Sequence, residues 1–256
     1  MASDATRYGD SVQRYGLSKT HRQTIEWVSE GAHVLEVGCS TGYLGHALIE
    51  QKNCRVTGIE VDPAAAAVAR ANGIDVIEGS VEAKVFRESI TGSYDFILAN
   101  DVLEHLRDPA AVLEHFHEWL SPGGRVIVSV PNIANWEIRR NLFFGGDFDY
   151  QETGILDRTH LRFFTWNTFH DLLTLQGWSV LDEMIDCWHL PVIRRLLVGV
   201  PSKMERLAAG RGAATDLPRR LVRQWINWGL GVEESITWLA PNLWASQFAV
   251  LIAPKP

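Results

Sequence analysis

Hydrophobic and polar residues follow two periods along the first half of the chain. Short apolar runs at residues 34–37, 55–59, 74–77, 94–99 and 125–130 each predict a strand. Segments with apolar residues at helical spacing lie between these runs. Continuous apolar strands that alternate with helices are typical of a parallel sheet covered by helices on both faces. The pattern therefore predicts an α/β fold.

Two of the predicted helices begin with the same pair of residues. Asp62-Pro63 and Asp108-Pro109 each place an aspartate at the N-cap and a proline at the first helical position. The aspartate side chain can accept a hydrogen bond from a free amide of the first turn, and proline has no amide to leave unpaired there. Both pairs therefore predict where a helix starts.

The second half of the chain has a weaker pattern. A Ser-Pro-Gly-Gly turn is predicted at residues 121–124. Residues 131–164 have no strong period, and we expect a long functional loop there. Helical spacing returns over residues 169–175, and strands are predicted at residues 178–187 and 243–253.

Composition narrows the class of protein. The 256 residues fit one domain, or one domain with an appendage, since domains hold roughly 100–200 residues. A net charge of −7 argues against a general nucleic-acid binder, which needs a basic face. Three separated cysteines form no disulfide or zinc pattern, which suits a reducing cytoplasm. Because no leader-like or membrane-spanning apolar run is present, we expect a cytoplasmic protein.

A glycine-rich loop, Gly38-Cys-Ser-Thr-Gly42, follows the first predicted strand and precedes a helix. Such a loop lets a ligand approach the backbone at the carboxyl end of the sheet. The dinucleotide pattern G-x-G-x-x-G is broken, because Ser40 and Tyr43 replace its second and third glycines. The loop also spells the G-x-S-x-G elbow of a hydrolase with Ser40 as nucleophile, although only one strand precedes it.

Glu36 and this glycine loop, taken with four later segments, resemble the motifs of class I S-adenosylmethionine (SAM)-dependent methyltransferases. In chain order, the later segments are Glu60 at the end of the second strand, residues 79–81, residues 100–105 and residues 120–124. The resemblance covers about residues 15–187 and 243–254. It implies a Rossmann-like fold with seven strands, mostly parallel, of which the last is antiparallel.

The resemblance implies that SAM is the cofactor. Glu60 would accept hydrogen bonds from its ribose hydroxyls, and residues 79–81 would contact adenine, with Ser80 in place of the usual aspartate. The implied cofactor contacts are Tyr15, Glu36, Gly38, Cys39, Ser40, Thr41, Gly42, Tyr43, Glu60, Val61, Gly79, Ser80, Val81, Asn100, Asp101 and Val102.

A narrower resemblance lies in Leu-Asp-Arg-Thr-His-Leu-Arg-Phe-Phe-Thr at residues 156–165, together with residues 130–132 and 239–248. These segments are similar to the bacterial methyltransferase-23 group, which includes proteins similar to ubiquinone-biosynthesis O-methyltransferases and to MetW. The group implies O-methylation of a sugar, a glycolipid precursor or another small metabolite of polysaccharide or natural-product biosynthesis. A MetW-like SAM-binding accessory protein and the Ser40 hydrolase are the alternatives.

Methyl transfer to a hydroxyl requires that the acceptor oxygen, the methyl carbon and the sulfur lie in line. It also requires exclusion of water and removal of the hydroxyl proton. Histidine suits the last task near neutral pH. We predict His160 as the catalytic base, oriented by Asp157, because both lie in the unpatterned loop after the fifth strand. His105, Asn132 and Arg158 are the predicted acceptor contacts.

The predicted domain organisation is a single domain in three parts. Residues 1–30 form a helical lid, residues 31–187 and 243–256 the core, and residues 188–242 a helical insert. Between residues 188 and 228, eight basic and two acidic side chains give +6, which leaves −13 for the rest of the chain. The insert is therefore predicted to cap the acceptor site, to favour a phosphorylated or lipid-linked acceptor, or to touch a membrane surface. A homodimer is left open.

The sequence predicts no metal site. No H-x-E, HExxH or paired-carboxylate spacing occurs, although Asp147 and Asp149 could bind an ion weakly.

Overall fold

The computed structural model describes residues 16–187 and 240–255. Seven strands are β1 (His33–Val37), β2 (Arg55–Glu60), β3 (Asp75–Glu78), β4 (Tyr94–Asn100), β5 (Leu120–Pro131), β6 (Trp178–Asp186) and β7 (Gln247–Pro254). The α-helices among the described residues are α1 (Lys19–Trp27), α2 (Tyr43–Lys52), α3 (Pro63–Ala71), α4 (Lys84–Ser89), α5 (Pro109–Trp119), α6 (Trp136–Gly145), α7 (Trp166–Leu175) and α8 (Pro241–Trp244). A 3₁₀ helix, Leu103–His105, follows β4.

All seven strands belong to one sheet with the order β3-β2-β1-β4-β5-β7-β6. Strands β1 to β5 run parallel, and β7 pairs antiparallel with both β5 and β6. The predicted α/β fold, with seven strands and an antiparallel last one, is confirmed. The strand order reverses between β1 and β4, and open α/β sheets form their ligand crevice at the carboxyl ends of such strands.

Each face of the sheet carries its own apolar core. On one face α1, α2 and α3 pack against the strands through side chains such as Ile25, Leu48 and Ala69. On the other face α5 and α7 contribute Phe116 and Phe169, both fully buried. Because helices cover both faces, the strands are buried on both sides, which explains their continuous apolar runs.

The predicted helix starts are confirmed at both Asp-Pro pairs. The Asp62 carboxylate accepts a hydrogen bond from the Ala64 amide at 2.9 Å, and Asp108 accepts one from the Ala111 amide at 3.1 Å. In both helices proline occupies the first turn. Local capping chemistry therefore fixes where α3 and α5 begin.

The turn predicted at residues 121–124 lies inside β5. Tyr94 pairs with Leu120 and Phe96 pairs with Arg125, so β5 has more residues than β4 between these two pairs. The extra residues form an irregularity in which Gly123 has a φ of +83°. The glycines therefore lie in a bulge within β5. The strand begins at Leu120, before the residues that were predicted to form a turn.

Two other expectations were wrong in part. Residues 131–164 are not all loop, because Asn135 caps a helix, α6, by accepting a hydrogen bond from the Glu137 amide at 2.9 Å. That helix buries none of its residues, so it carries no apolar period to detect. The final strand starts at Gln247 and not at residue 243, because Pro241–Trp244 forms α8.

Helix α1 is tied to the carboxyl ends of the central strands by buried polar contacts. The Thr20 hydroxyl donates to Gln247 Oε1 at 2.7 Å, and Asn100 Nδ2 donates to the Thr24 hydroxyl at 2.9 Å. Thr20 and Thr24 are both buried. The helix therefore lies beside the crevice, where the sequence predicted a lid. The rest of that predicted lid, residues 1–15 with Tyr15, and most of the basic insert lie outside the described residues.

We expect Thr24→Val to lower the free energy of unfolding by about 1–3 kcal/mol, because it leaves the half-buried Asn100 amide without its acceptor. Urea unfolding is the measurement. Thr24→Ser retains the hydroxyl and is the matched control, with a smaller loss expected. A valine variant as stable as the parent would show that this contact contributes nothing to the docking of α1.

Candidate functional site

The loop after β1 depends on backbone conformations that favour glycine. Gly38 and Gly42 have φ values of +69° and +75°. A Cβ atom on Gly42 would lie 2.8 Å from an Ile74 side-chain carbon and 3.0 Å from Ala69, and one on Gly38 would lie 3.0 Å from Val102. The two glycines therefore let the loop pack tightly against its neighbours at the carboxyl end of β1.

Glu60 holds this loop through its carboxylate. Glu60 Oε2 accepts a hydrogen bond from the Ser40 amide at 2.8 Å. Its Oε1 accepts from the amides of Val61 and Asp62, each at 2.8 Å. Ser40 itself has a φ of +50°, a strained value for a residue with a side chain. Glu60 lies at the strand end that the sequence predicted, and it has a structural task there that the sequence did not reveal.

A second carboxylate, Glu36, is buried beneath the loop. Burial raises the pKa of Glu36 to about 8, the Gly45 backbone amide opposes the rise through a hydrogen bond, and the Glu60 charge adds to it. Helix α2 packs directly on this group, because a Cβ on Gly45 would lie 2.8 Å from Glu36 Oε2. Glu36 Oε2 has no hydrogen-bond partner among the described residues. The raised pKa favours the protonated form of the Glu36 carboxyl at neutral pH.

The segment predicted to contact adenine follows β3. The backbone of Gly79 donates to the Glu60 carbonyl at 2.9 Å, and a Cβ on Gly79 would overlap the Phe86 ring at 2.1 Å. The Ser80 hydroxyl accepts a hydrogen bond from the Glu82 amide, and Val81 is buried in the core. This segment therefore lies next to the end of β2 at Glu60, and its contact with adenine stays a prediction.

Asp101 follows β4 with a φ of +54°. Its Oδ1 accepts hydrogen bonds from the Ser129 hydroxyl at 2.8 Å and from the Gln247 amide. Gln247 also bonds Thr20, so a continuous chain of polar contacts joins α1, β7 and the end of β4. The contact with Gln247 fixes a strained backbone beside the crevice, a feature often found at functional sites.

The two predicted site histidines meet where the loop after β5 packs against the segment after β4. The rings of His105 and His160 pack edge to face, with centroids 4.8 Å apart. His160 is buried, and its Nδ1 lies 3.1 Å from the Ile155 carbonyl oxygen. Burial lowers the pKa of His160, the neighbouring His105 lowers it further, and the Ile155 hydrogen bond and the Asp157 charge oppose the shift.

The orientation of His160 by Asp157 stays a prediction: the Asp157 charge acts on His160, whose amide donates to the Asp157 carbonyl at 3.0 Å. Asp157 Oδ1 accepts hydrogen bonds from the amide and the hydroxyl of Thr159, at 2.8 and 2.7 Å. The Thr159 hydroxyl in turn lies 3.1 Å from His105 Nδ1. Asp157 therefore acts on His105 through Thr159, and the hydrogen bond that holds the His160 ring comes from Ile155.

Glu104 is a member of this cluster that the sequence missed. Its side chain is 1% exposed, and its Oε2 has no hydrogen-bond partner among the described residues. Burial raises the pKa of Glu104 well above its usual range, and the charges of Asp101 and Asp157 add to the rise. The Glu104 backbone carbonyl accepts from the amides of Leu161 and Arg162, which joins the loop after β5 to the segment after β4.

The two other predicted acceptor contacts lie elsewhere. Asn132 is fully buried, and its Nδ2 donates to the Ala245 carbonyl at 2.8 Å. A side chain with no exposed surface cannot contact an acceptor, so Asn132 is a structural residue. Arg158 is exposed and pairs with Glu152.

The chain is similar to known proteins in sequence and in fold. A family model described as a methyltransferase domain (Methyltransf_23) matches residues 6–183. The chain belongs to this methyltransferase domain family. SAM, the cofactor of class I members, is thereby the cofactor of this site, as predicted. The Ser40 hydrolase alternative receives no support.

Among curated relatives, the ubiquinone biosynthesis O-methyltransferase of Pseudomonas aeruginosa (strain UCBPP-PA14) is 34% identical over an alignment of 117 residues, and the match covers 42% of this chain. The corresponding protein of Pseudomonas putida (strain W619) is 32% identical over the same length. The matched region spans about half the length of these relatives, 50% in each case.

Solved structures share the fold at low sequence identity. A SAM-dependent methyltransferase from Archaeoglobus fulgidus has a TM-score of 0.58 at 14% identity, over 96% of this chain and 98% of that one. The Haemonchus contortus phosphoethanolamine N-methyltransferase 2, in complex with phosphomonomethylethanolamine and S-adenosylhomocysteine, has a TM-score of 0.53 at 13% identity, over 94% and 53%. Within residues 16–187 and 240–255, no helix combines the length and the apolar character needed to cross a bilayer.

The buried Glu36 predicts a pH-dependent stability. Between its ordinary pKa of 4.5 and about 8, the unfolded chain loses the Glu36 proton while the folded protein retains it. The unfolded state then binds fewer protons, so this group destabilises the fold increasingly as pH rises through that window. We expect Glu36→Gln to match the parent near pH 5 and to exceed it by a few kcal/mol near pH 9, on the order of 1.4 kcal/mol per pKa unit.

Urea unfolding of the cofactor-free protein at several pH values measures this difference. Glu78→Gln is the control, since Glu78 is exposed and paired with Arg70. Parallel stability profiles for the parent and Glu36→Gln would contradict the proposed protonation of Glu36.

Proposed function

We propose that the protein transfers the methyl group of SAM to an oxygen atom of a small metabolite. Membership of the methyltransferase domain family supports the transfer, and the partial match to ubiquinone biosynthesis O-methyltransferases supports oxygen as the acceptor atom. The observation that carries the proposal is the site itself. A glycine loop that packs tightly, a strand-end carboxylate and a cluster of two histidines lie at the carboxyl ends of adjacent parallel strands.

In this reaction the acceptor oxygen attacks the methyl carbon of the sulfonium. A carbon–oxygen bond forms, the carbon–sulfur bond breaks with its electron pair passing to sulfur, and the hydroxyl proton leaves. S-adenosylhomocysteine and the methyl ether are the products. Because the positive charge on sulfur disappears, alignment and exclusion of water are the main tasks of the protein. We assign the alignment of the acceptor to the crevice beside His105 and His160.

We assign the cofactor contacts from the positions of three segments at the carboxyl ends of β1, β2 and β3. The loop from Gly38 to Gly42 would hold the methionine end, and residues 79–81 would hold the adenine. Glu60 already accepts three amide hydrogen bonds, and a carboxylate has roughly four acceptor sites. We propose that the remaining acceptor site takes a ribose hydroxyl. Position alone supports these assignments.

The acceptor that we propose is a sugar, a glycolipid precursor or another small metabolite with an anionic group. The eight basic side chains between residues 188 and 228 support an anionic acceptor. That segment lies outside the described residues, so the proposal rests on its charge alone.

Glu60→Ala should weaken SAM binding at least about 10-fold, because the variant loses the proposed ribose contact together with the three amide hydrogen bonds that hold the loop after β1. Calorimetric titration with SAM measures the change. Glu78→Ala removes the carboxylate at the end of the neighbouring strand β3 and should leave the affinity unaltered. Equal affinity in Glu60→Ala and the parent would remove Glu60 from the cofactor site.

The function itself is tested by an acceptor screen with mass detection of a product heavier by one CH₂ group. We expect turnover in the parent and a loss of at least about tenfold in His160→Gln, with SAM affinity retained, because His160 serves removal of the acceptor proton. His115→Gln is the matched control, since His115 pairs with Glu118 on the helix α5, away from the crevice. A protein that binds SAM but methylates no acceptor would be an accessory protein of the MetW type.

A further inference from the structure

Glu82 connects the segment assigned to adenine (residues 79–81, the adenine segment) with the segment after β4. Its amide donates to the Ser80 hydroxyl at 3.2 Å. Its carboxylate reaches further, because Glu82 Oε1 accepts a hydrogen bond from the Arg107 amide at 2.7 Å. A hydrogen bond from an amide to a carboxylate is stronger than one between neutral groups. Glu82 and Arg107 are 25 positions apart, so this bond joins two segments that are distant in the sequence.

The backbone around Glu82 is held by a buried arginine. Arg87 of α4 is 7% exposed, and its Nη1 donates to the Val81 carbonyl at 2.6 Å and to the Glu82 carbonyl at 3.0 Å. A guanidinium stays charged and can only donate, so in a buried position it depends on such acceptors. The adenine segment and Glu82 are therefore fixed to α4 together, and a shift of one is passed to the other.

Arg162 continues this chain of contacts to the loop after β5. Its Nε donates to the Arg107 carbonyl at 3.1 Å, and its Nη2 donates to the same oxygen. Its own amide donates to the Glu104 carbonyl at 2.9 Å. The backbone of Arg107 thus bonds Glu82 through its amide and Arg162 through its carbonyl. Because Arg162 lies two residues after His160, a continuous path of hydrogen bonds runs from the adenine segment to the loop that carries His160.

The two side chains of this path are exposed. Glu82 and Arg162 lie at the surface, where water can replace a lost partner. Exposed polar contacts for that reason contribute little to the free energy of unfolding. The His160 ring is instead buried and bonds the Ile155 carbonyl of its own loop, so the ring moves with that loop. The path therefore acts on the position of the ring more than on the stability of the fold.

We propose that Glu82 and Arg162 are positioning residues, which couple occupation of the adenine segment to the placement of His160. The inference rests on the proposed function, because that function assigns adenine to residues 79–81 and proton removal to His160. A cofactor that orders the adenine segment bears part of the cost of ordering the loop, so the acceptor binds more readily once the cofactor is present. The coupling is reciprocal, since a loop ordered by the acceptor favours the cofactor equally.

Nuclear magnetic resonance of the full chain tests the coupling without an acceptor. Histidine labelled with ¹³C at Cε1 reports each ring, and the signal missing from His160→Gln identifies His160. The Gly79 amide signal reports binding at the adenine segment. The probe is adenosine, which has the adenine and ribose of SAM but lacks its methionine end, and S-adenosylhomocysteine replaces it if adenosine does not saturate. We expect the probe to shift both the Gly79 and the His160 signals in the parent.

Two variants break the path at different links. Glu82→Ala and Arg162→Ala should lose most of the shift of His160, because the effect of the bound probe is no longer transmitted. Both should retain the shift of Gly79, which also shows that they are folded. Glu82→Gln keeps an oxygen that accepts from the Arg107 amide, so it should restore most of the His160 shift. A general loss of structure at this position would not be rescued in that way.

Each alanine variant has a control of the same charge. Glu88→Ala removes an exposed carboxylate of α4 that pairs with Lys84, and Arg140→Ala removes an exposed guanidinium that bonds the neighbouring Asn141 side chain. Both controls should respond to the probe like the parent. If Arg162→Ala does not fold, Glu82→Ala decides alone, because it breaks the same path at its other end.

The outcomes separate the coupling from the proposed function. A Gly79 shift without a His160 shift in the parent overturns the coupling and leaves the adenine assignment in place. A His160 shift of parental size in Glu82→Ala also overturns it, because the probe then acts on the ring by another route. A saturating probe that leaves Gly79 unshifted removes the adenine assignment and the coupling with it. A His160 shift that depends on both links upholds the coupling even if no acceptor is methylated, and in that case only the proposed reaction fails.

Discussion

The site depends on one carboxylate that accepts three backbone amides. Glu60 ties the loop after β1 to the loop after β2, and it holds the amide of Ser40, whose backbone is strained. Charge-assisted hydrogen bonds are among the strongest polar contacts in proteins. Because Glu60 is buried at a strand end, the sheet fixes its position and the carboxylate transmits that position to the ligand loop. The rigid part of the fold thus sets the geometry of the part that contacts ligand.

Sequence reasoning succeeded where local chemistry decides the structure. The apolar runs located the strands, and the aspartates of both Asp-Pro pairs cap helices as expected. It failed at α6, which buries no residue and so has no apolar period, and at residues 121–124, where glycines form a bulge inside β5. In both cases the local structure depends on how the segment packs or pairs with other segments. A single sequence does not show these contacts.

The same limit applies to the cluster of Glu104, His105 and His160. His105 and His160 are 55 positions apart, so no spacing rule connects them. The position of His160 in the loop after β5 was enough to identify it as a candidate. The hydrogen-bond partners of the two rings, Ile155 for His160 and Thr159 for His105, could not be inferred from the sequence. The Asp157 carboxylate, three residues from His160, also reaches His105 through Thr159. Asn132 was misassigned for a related reason, since burial becomes visible only in the folded chain.

The contact between Gln247 and Asp101 has a consequence for the order in which the protein becomes functional. Chains emerge from the ribosome with the N-terminal part first, and folding proceeds as segments become available. The loop after β1 and its partner Glu60 are complete within the first quarter of the chain. Asp101, by contrast, gains its amide partner only when residue 247 arrives and β7 inserts between β5 and β6. The cofactor side of the crevice can therefore form during synthesis, whereas the side near β4 is completed only when synthesis is almost finished.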